Sequence, residues 1–240
     1  MISRPFLSRK GIDMAVTKRY VVPKFWPIEV KAKKYVVSPV PGPHNKMTCI
    51  PLGVVLRDMF HYARTMNEAK EILNKKFVKI NGTIRKEHGF PVGLMDVIDV
   101  DGDFYRVLPG KKEIQLFKIT AADANVRLAK IKNKTHVKKK KIQLNLHDGS
   151  NILVEKDDFK TSDVIVIDIE HNLIKETIRF EKGSLAIVTA GNNTGLVGTI
   201  ESIDKHLRTV VMAADKKKSI VPIKYVFVIG HDKPVVSIGE

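Results

Sequence analysis

Cysteine is almost absent from this 240-residue sequence. The single Cys49 excludes a disulfide framework and any cysteine-based zinc site built from this chain alone, and suits a reducing compartment. No apolar run approaches the ~18 residues of a spanning helix. No basic amphipathic helix stands out for a membrane surface either, so no membrane partner is expected. The eight histidines (44, 61, 88, 136, 147, 171, 206 and 231) never come closer than eleven positions, which leaves no H-x-x-x-H metal pair. Carboxylates are grouped between 148 and 176 without calcium-loop spacing. Gly191, Gly195 and Gly198 lead into a strand, not into the helix that a dinucleotide fingerprint requires, and no G-x-x-x-x-G-K-[ST] occurs. Cys49, beside Pro51 at a helix start, reads as a small buried hydrophobe, and Asp96 as a turn or capping residue. The expectation is a non-enzyme with no cofactor, no metal and no small-molecule substrate.

Acids are also short relative to bases. Lysine and arginine number 42 against 26 acidic residues, a net charge of +16 with pI near 9.8, the electrostatic footprint of a polyanion binder. The excess is local. Residues 1–50 hold ten cations and two acids, with prolines at 5, 23, 27, 39, 41 and 43 that argue against regular elements and against order without a docking partner. Residues 1–14 lack the apolar core of a secretory signal and read as a basic tail, with Met14 an alternative start. Tyr20, Phe25, Trp26 and Tyr35 sit among these charges, either for stacking on bases or, for Phe25 and Trp26, as an anchor on the next domain. Residues 127–141 carry eight cations and no acid; residues 142–180 reverse this, with eight acids against four cations. The basic run reads as a phosphate-contacting hairpin, the acidic stretch as a face turned from RNA or toward a basic protein.

Periodicity divides the chain. Leu52, Val55, Leu56, Met59, Phe60 and Ala63 fall on one helical face, with Pro51 in the first turn. Thr65 and Glu68 form a capping box opening a second helix with an Ala69, Ile72, Leu73, Phe77 stripe. The period then becomes two around Asn81-Gly82, a hairpin signal, with a third strand at 97–100. Strands at 104–108 and 114–119, a short helix after Thr120, and a hairpin through His147-Asp148-Gly149 follow. From Gly183, short strands with glycine turns indicate a small five-stranded barrel.

Certain motifs carry a resemblance. The order TMNEAKEILNKK, FVKING and PVGLMDVI is similar to the S-four-type RNA-binding module. The lead-in KRYVVPKFWP, PGPHNKM and IPLGVVLRD resembles the amino-terminal signature of the archaeal and eukaryotic small-subunit ribosomal proteins of the S-four-e family, and the likeness runs from about Met14 to the carboxyl end. The glycine-rich TAGNNTGLVG is similar to the KOW motif, whose loop contacts RNA or protein; it has no basic residue between Gly191 and Gly198, though Lys216, Lys217 and Lys218 follow in the last turn. The resemblance implies an α+β multidomain chain: an extended basic segment (1–47), a helix-pair and sheet RNA-binding domain (48–109), a central β-rich domain (110–180) and an SH3-like barrel with the KOW motif (181–240). It also implies a cytoplasmic scaffold of the small ribosomal subunit, with small-subunit ribosomal RNA and neighbouring small-subunit proteins as partners. A polymerase-binding transcription module and an accessory domain of an RNA-modifying enzyme remain alternatives.

The candidate RNA contacts are, in the tail, Lys18, Arg19, Lys24, Trp26, Lys31, Lys33, Lys34, His44, Asn45 and Lys46. In the module they are Arg57, Arg64, Lys70, Lys75, Lys76, Lys79, Asn81, Arg85 and Lys86. In the basic hairpin they are Lys132, Lys134, Lys138, Lys139 and Lys140, and in the last loop Asn192 and Asn193.

Overall fold

The computed structural model describes residues 16–29, 31–137, 141–214 and 217–238; Lys138, Lys139, Lys140 and Lys216 lie outside them. Its framework is three five-stranded antiparallel sheets in chain order, with a few short helices. The chain is therefore mostly β rather than the α+β expected, because the apolar helical stripes run for only one to three turns before turn residues end them.

The tail is ordered by docking. Strand β1 (Val16–Lys18) pairs with β2 (Tyr35–Val37), where the prolines argue for no regular element. Val36 and Trp26 reach the core built by Ile50, Leu52, Leu73 and Val78. Burial against the neighbouring domain supplies the apolar contact that the segment lacks alone.

Strand β3 (Ile50–Pro51) leads into α1 (Leu52–Val54), which widens to an i→i+5 turn over Val55–Met59, where Phe60 N donates to Val55 O at 3.0 Å. The helix predicted to reach Ala63 thus stops early, at a left-handed His61 (φ 56°). In α2 (Met66–Asn74), Thr65 Oγ1 accepts from Glu68 N and the Glu68 carboxylate reaches back to Arg64 N at 2.8 Å, the expected box. Ala69 and Leu73 are buried, but Phe77, past the left-handed Lys76, is 49% exposed and leaves the predicted stripe.

Strands β4 (Val78–Ile80) and β5 (Thr83–Ile84) close the hairpin through Asn81 and Gly82, both at positive φ, as the sequence predicts. β6 (Pro91–Val92) pairs with β3, and β7 (Val97–Val100), β8 (Asp103–Pro109) and β9 (Ile114–Ile119) complete a sheet of order β5-β4-β7-β8-β9. Strand β9, assigned from sequence to the central domain, pairs with β8 along its full length. Gly110 lies in the turn between them, where its N donates to Glu113 O at 2.9 Å.

After α3 (Ala121–Ala124), β10 (Val126–His136), β11 (Ile142–Leu146), β12 (Asn151–Val154), β13 (Val164–Asp168) and β14 (Ile174–Ile178) form a sheet of order β12-β11-β10-β13-β14. Ile165 and Ile167 pack with Ala129 and Leu144 on one side, while Val164 and Val166 join Ile187, Met212 and Phe227 of the last sheet on the other. Burial on both faces explains why β13 reads as a continuous apolar run. Strands β15 (Leu185–Val188), β16 (Val197–Asp204), β17 (Thr209–Ala214), β18 (Lys217–Pro222) and β19 (Val226–Gly230) make that last sheet, of order β18-β17-β16-β15-β19. A one-turn 3-10 helix at Ile223–Tyr225 separates β18 from β19.

Candidate nucleic-acid interface

Several of the expected contact residues hold the fold together instead. Trp26 is 4% exposed, and its Nε1 donates to Cys49 O at 2.9 Å; the ring is an anchor and presents no face for stacking. Arg19 is buried with Nη1 on Glu29 O. His44 is buried with Nε2 2.8 Å from Asp96 Oδ2. The Asn81 amide is committed on both sides, donating to Asp96 Oδ1 (2.8 Å) and accepting from Val97 N (2.9 Å). Arg57 makes a bidentate pair with Asp58 (3.0 and 2.7 Å). Arg57 is engaged by its own sequence neighbour, while the partners of the other four lie ten or more positions away, where residue type and local charge do not reveal them.

Asp96 organises this corner. Its carboxylate also accepts from Gly93 N at 2.9 Å. Burial alone would raise its pKa, but His44 and these donors hold it below the usual carboxylate value. For His44, burial works downward and the Asp96 carboxylate overrides it, so the imidazole sits above its ordinary 6.5. His147 is the opposite case. Burial pushes it down to about 4; Nδ1 accepts from Lys130 N (3.2 Å), leaving Nε2 to donate to Leu94 O (3.2 Å). That neutral tautomer ties the central domain to the preceding one. Cys49 is pushed up to about 12, first by burial.

What remains exposed is cationic. Lys18, Lys24, Lys31, Lys33, Lys34 and Lys46 of the tail, with Asn45, face solvent, as do Arg64, Lys70, Lys75, Lys76, Lys79 and Lys86 of the module. At the end of α2 the surface dips into a hollow of about 540 Å³ lined by Lys76, Ile84, Arg85, Lys86, Glu87 and Phe90. The Arg85 guanidinium lies over the Phe90 ring, 4.5 Å from its centroid, and its buried Nε has no partner. A guanidinium seated over an aromatic ring beside two lysines offers charge to a phosphate and a platform to a base.

Phe90 was not singled out in the sequence; Arg85, five residues earlier and past a turn, gives no periodic signal that would join them. Tyr62 and Tyr105 were not singled out either, and Phe60 was read only as part of an apolar helical face. Phe60 and Tyr62 stack at 5.1 Å, and Tyr105 tilts against Phe60 at 4.5 Å. In the basic hairpin, Lys132 is exposed, whereas Lys134 is held by Asp157 and by Phe159 O (2.7 Å). Asn192 and Asn193 are exposed. The acidic stretch is less of a face than its composition suggests: Asp148 pairs with Arg127, and Asp163 accepts from Lys160 N and Phe180 N. Among the described residues, no group of three or more His, Cys, Asp or Glu side chains could hold a metal, and no helix is long and apolar enough to cross a membrane.

Comparison with known proteins bears on the whole chain. A model of the ribosomal family S4e matches residues 101–174, and one of the RS4NT (NUC023) domain matches residues 17–47. The small ribosomal subunit protein eS4 of Staphylothermus marinus is 39% identical over 93% of this chain and 95% of its own length. That of Methanothermobacter thermautotrophicus is 41% identical over 92% and 94%. The crystal structure of the 30S ribosomal protein S4e from Thermoplasma acidophilum superposes with a TM-score of 0.69 at 29% identity, covering 77% of this chain and 96% of that one.

Proposed function

The chain belongs to the ribosomal family S4e, and on that premise we propose that it is a structural component of the small ribosomal subunit that binds and braces small-subunit ribosomal RNA without covalent chemistry. The observation that carries the RNA contact is the surface left once internally paired side chains are set aside. The tail lysines, the α2 lysines with Lys79, and the Arg85–Phe90 hollow are exposed cations beside a stacked ring. Each phosphate they neutralise releases counterions, which supplies affinity without base specificity. Phosphate contacts of this kind fix register and orientation, the task of a scaffold.

Residues 48–109 act as the S-four-type module, extended by β9. The last sheet acts as an SH3-like barrel whose Gly191–Gly198 loop, in the KOW pattern, offers Asn192 and Asn193 to RNA or to a neighbouring protein. The order β18-β17-β16-β15-β19 and the 3-10 turn before β19 support this reading. Lys138, Lys139 and Lys140, which lie outside the described residues, extend the contact by their charge. The site of action is the cytoplasm, within the subunit and beside other small-subunit proteins. The test is sedimentation of a tagged copy expressed in its own cells. The tag is expected in the small-subunit peak at low magnesium; a tag that stays in the free-protein fractions overturns the proposal.

A further inference from the structure

Between the central and last sheets lies a cleft of about 1120 Å³. Lys130 and Lys132 of β10 stand on one side of it, Lys205 and Arg208 of the β16–β17 turn and Lys224 of the 3-10 helix on the other, and no aspartate or glutamate contributes to its walls. Its volume exceeds the ~300–1,000 Å³ typical of a small-molecule pocket.

The five cations divide into two kinds. Lys130 is a strut: Nζ donates to Ile223 O (3.0 Å) and Val226 O (2.6 Å), joining the two walls, and burial lowers its pKa to about 8. The other four are exposed, and among the described residues none forms an ion pair. Lys132 touches only the His147 carbonyl at 3.3 Å, and Lys224 lies over the Tyr225 ring. Asp204, beside Lys205 in the sequence, has Oδ1 engaged by His206 N (2.9 Å) and Leu207 N (3.1 Å), which shapes the turn presenting Lys205 and Arg208. Arg208 O in turn accepts from Ile223 N at 3.0 Å, so the turn is braced against the 3-10 helix. Four unneutralised cations held on facing walls repel one another until an anion enters.

We propose that this interdomain cleft is a second RNA-binding site that encloses a single-stranded segment of ribosomal RNA, its phosphates on Lys132, Lys205, Arg208 and Lys224 and its bases against the half-buried Leu94, Phe180 and Ile223 of the lining. The proposal rests on ribosomal RNA being the partner, and adds a site separate from the surface around α2, sharing only Lys132 with the basic hairpin. A single strand fits because cations on two facing walls of a concave site enclose one backbone, whereas a duplex meets only the rim. A cationic groove that tracks the backbone, with an aromatic ring for a base to stack on, is the combination single-strand sites use, and Phe180 is the half-buried ring in this lining.

The test uses the full chain bound to its small-subunit RNA transcript, with an iron–EDTA cleavage reagent attached at Leu207→Cys on the cleft rim, where the side chain is 73% exposed. Cys49 is fully buried and does not compete for the label. A second protein carries the reagent at Lys76→Cys in the module. Cleavage from position 207 is expected in one short unpaired stretch, and is expected to vanish in Lys205→Ala/Arg208→Ala/Lys224→Ala, whose log–log salt slope falls by about two units at roughly 0.7 per single-strand phosphate. Cleavage from position 76 without cleavage from 207, with an unchanged slope in the triple variant, overturns the cleft and leaves the scaffold standing. Cleavage from neither overturns both. If, in assembled subunits, position 207 crosslinks to an acidic protein and never to RNA, the cleft is a protein site and the proposal fails.

Discussion

His44 Nε2 lies 2.8 Å from Asp96 Oδ2, with both side chains buried and fifty-two positions between them. The pair fastens the proline-rich tail to the loop that enters β7, and through Asn81 it also holds the tip of the β4–β5 hairpin. The tail's exposed lysines are therefore presented from a fixed base rather than from a free chain.

Removing one partner of such a pair leaves an uncompensated buried charge, so His44→Ala is expected to cost about 3–5 kcal/mol. The pH dependence has a definite sign. His44 is raised in the folded state, so its contribution is complete below the unfolded value of 6.5 and is lost as pH rises through the folded value. Asp96 is lowered, so its contribution is present above 3.8 and is lost as pH falls through its folded value. Urea unfolding between pH 6 and 9 is expected to show stability declining in the native chain and a flatter profile in His44→Gln.

Gly93 makes room for this pair. A Cβ there would stand 2.3 Å from His44 Cγ, inside contact distance of a packed ring. Gly93→Ala is expected to displace the imidazole, and the double change Gly93→Ala/His44→Ala to cost clearly less than the two single losses added. Denaturant midpoints of the three variants measure the coupling; additivity would show that the close approach does not matter.

Trp26→Ala is expected to cost about 3–5 kcal/mol, from lost packing and an orphaned Cys49 carbonyl. Calorimetry measures it. Unchanged stability with weakened RNA binding would return Trp26 to a stacking role.

Much of the local structure was legible in the sequence. The Thr65–Glu68 box, the Asn81-Gly82 turn and the alternation of Ile142, Leu144 and Leu146 each depend on neighbours within a few residues, and each forms as read. What was not legible depends on distant partners. The amphipathic run after Pro51 looked helical to Ala63, yet Ala63 is buried by tertiary contact beyond a left-handed His61. Arg19, His44 and Asp148 looked like surface charge and are buried with partners 10, 52 and 21 positions away. For the candidate interface, the lysines of α2 could be read directly, while the Arg85–Phe90 stack and the interdomain cleft exist only once the chain has turned back on itself.

At the end of α2, Lys75→Ala together with Lys76→Ala and Lys86→Ala in the adjoining hollow is expected to reduce the salt slope of RNA binding by roughly 0.7–0.9 units per lysine, with little change in melting temperature because all three side chains are exposed. A lowered melting temperature with an intact slope would make these lysines structural.

The central claim is that cations on a folded scaffold hold ribosomal RNA by neutralising its phosphates. The most direct test is equilibrium binding of the whole protein to its small-subunit RNA transcript from 50 to 200 mM salt. A linear log–log decline is predicted, amounting to 10³–10⁵ in affinity if about 6–10 phosphates are engaged; an affinity that stays level across that range would contradict it.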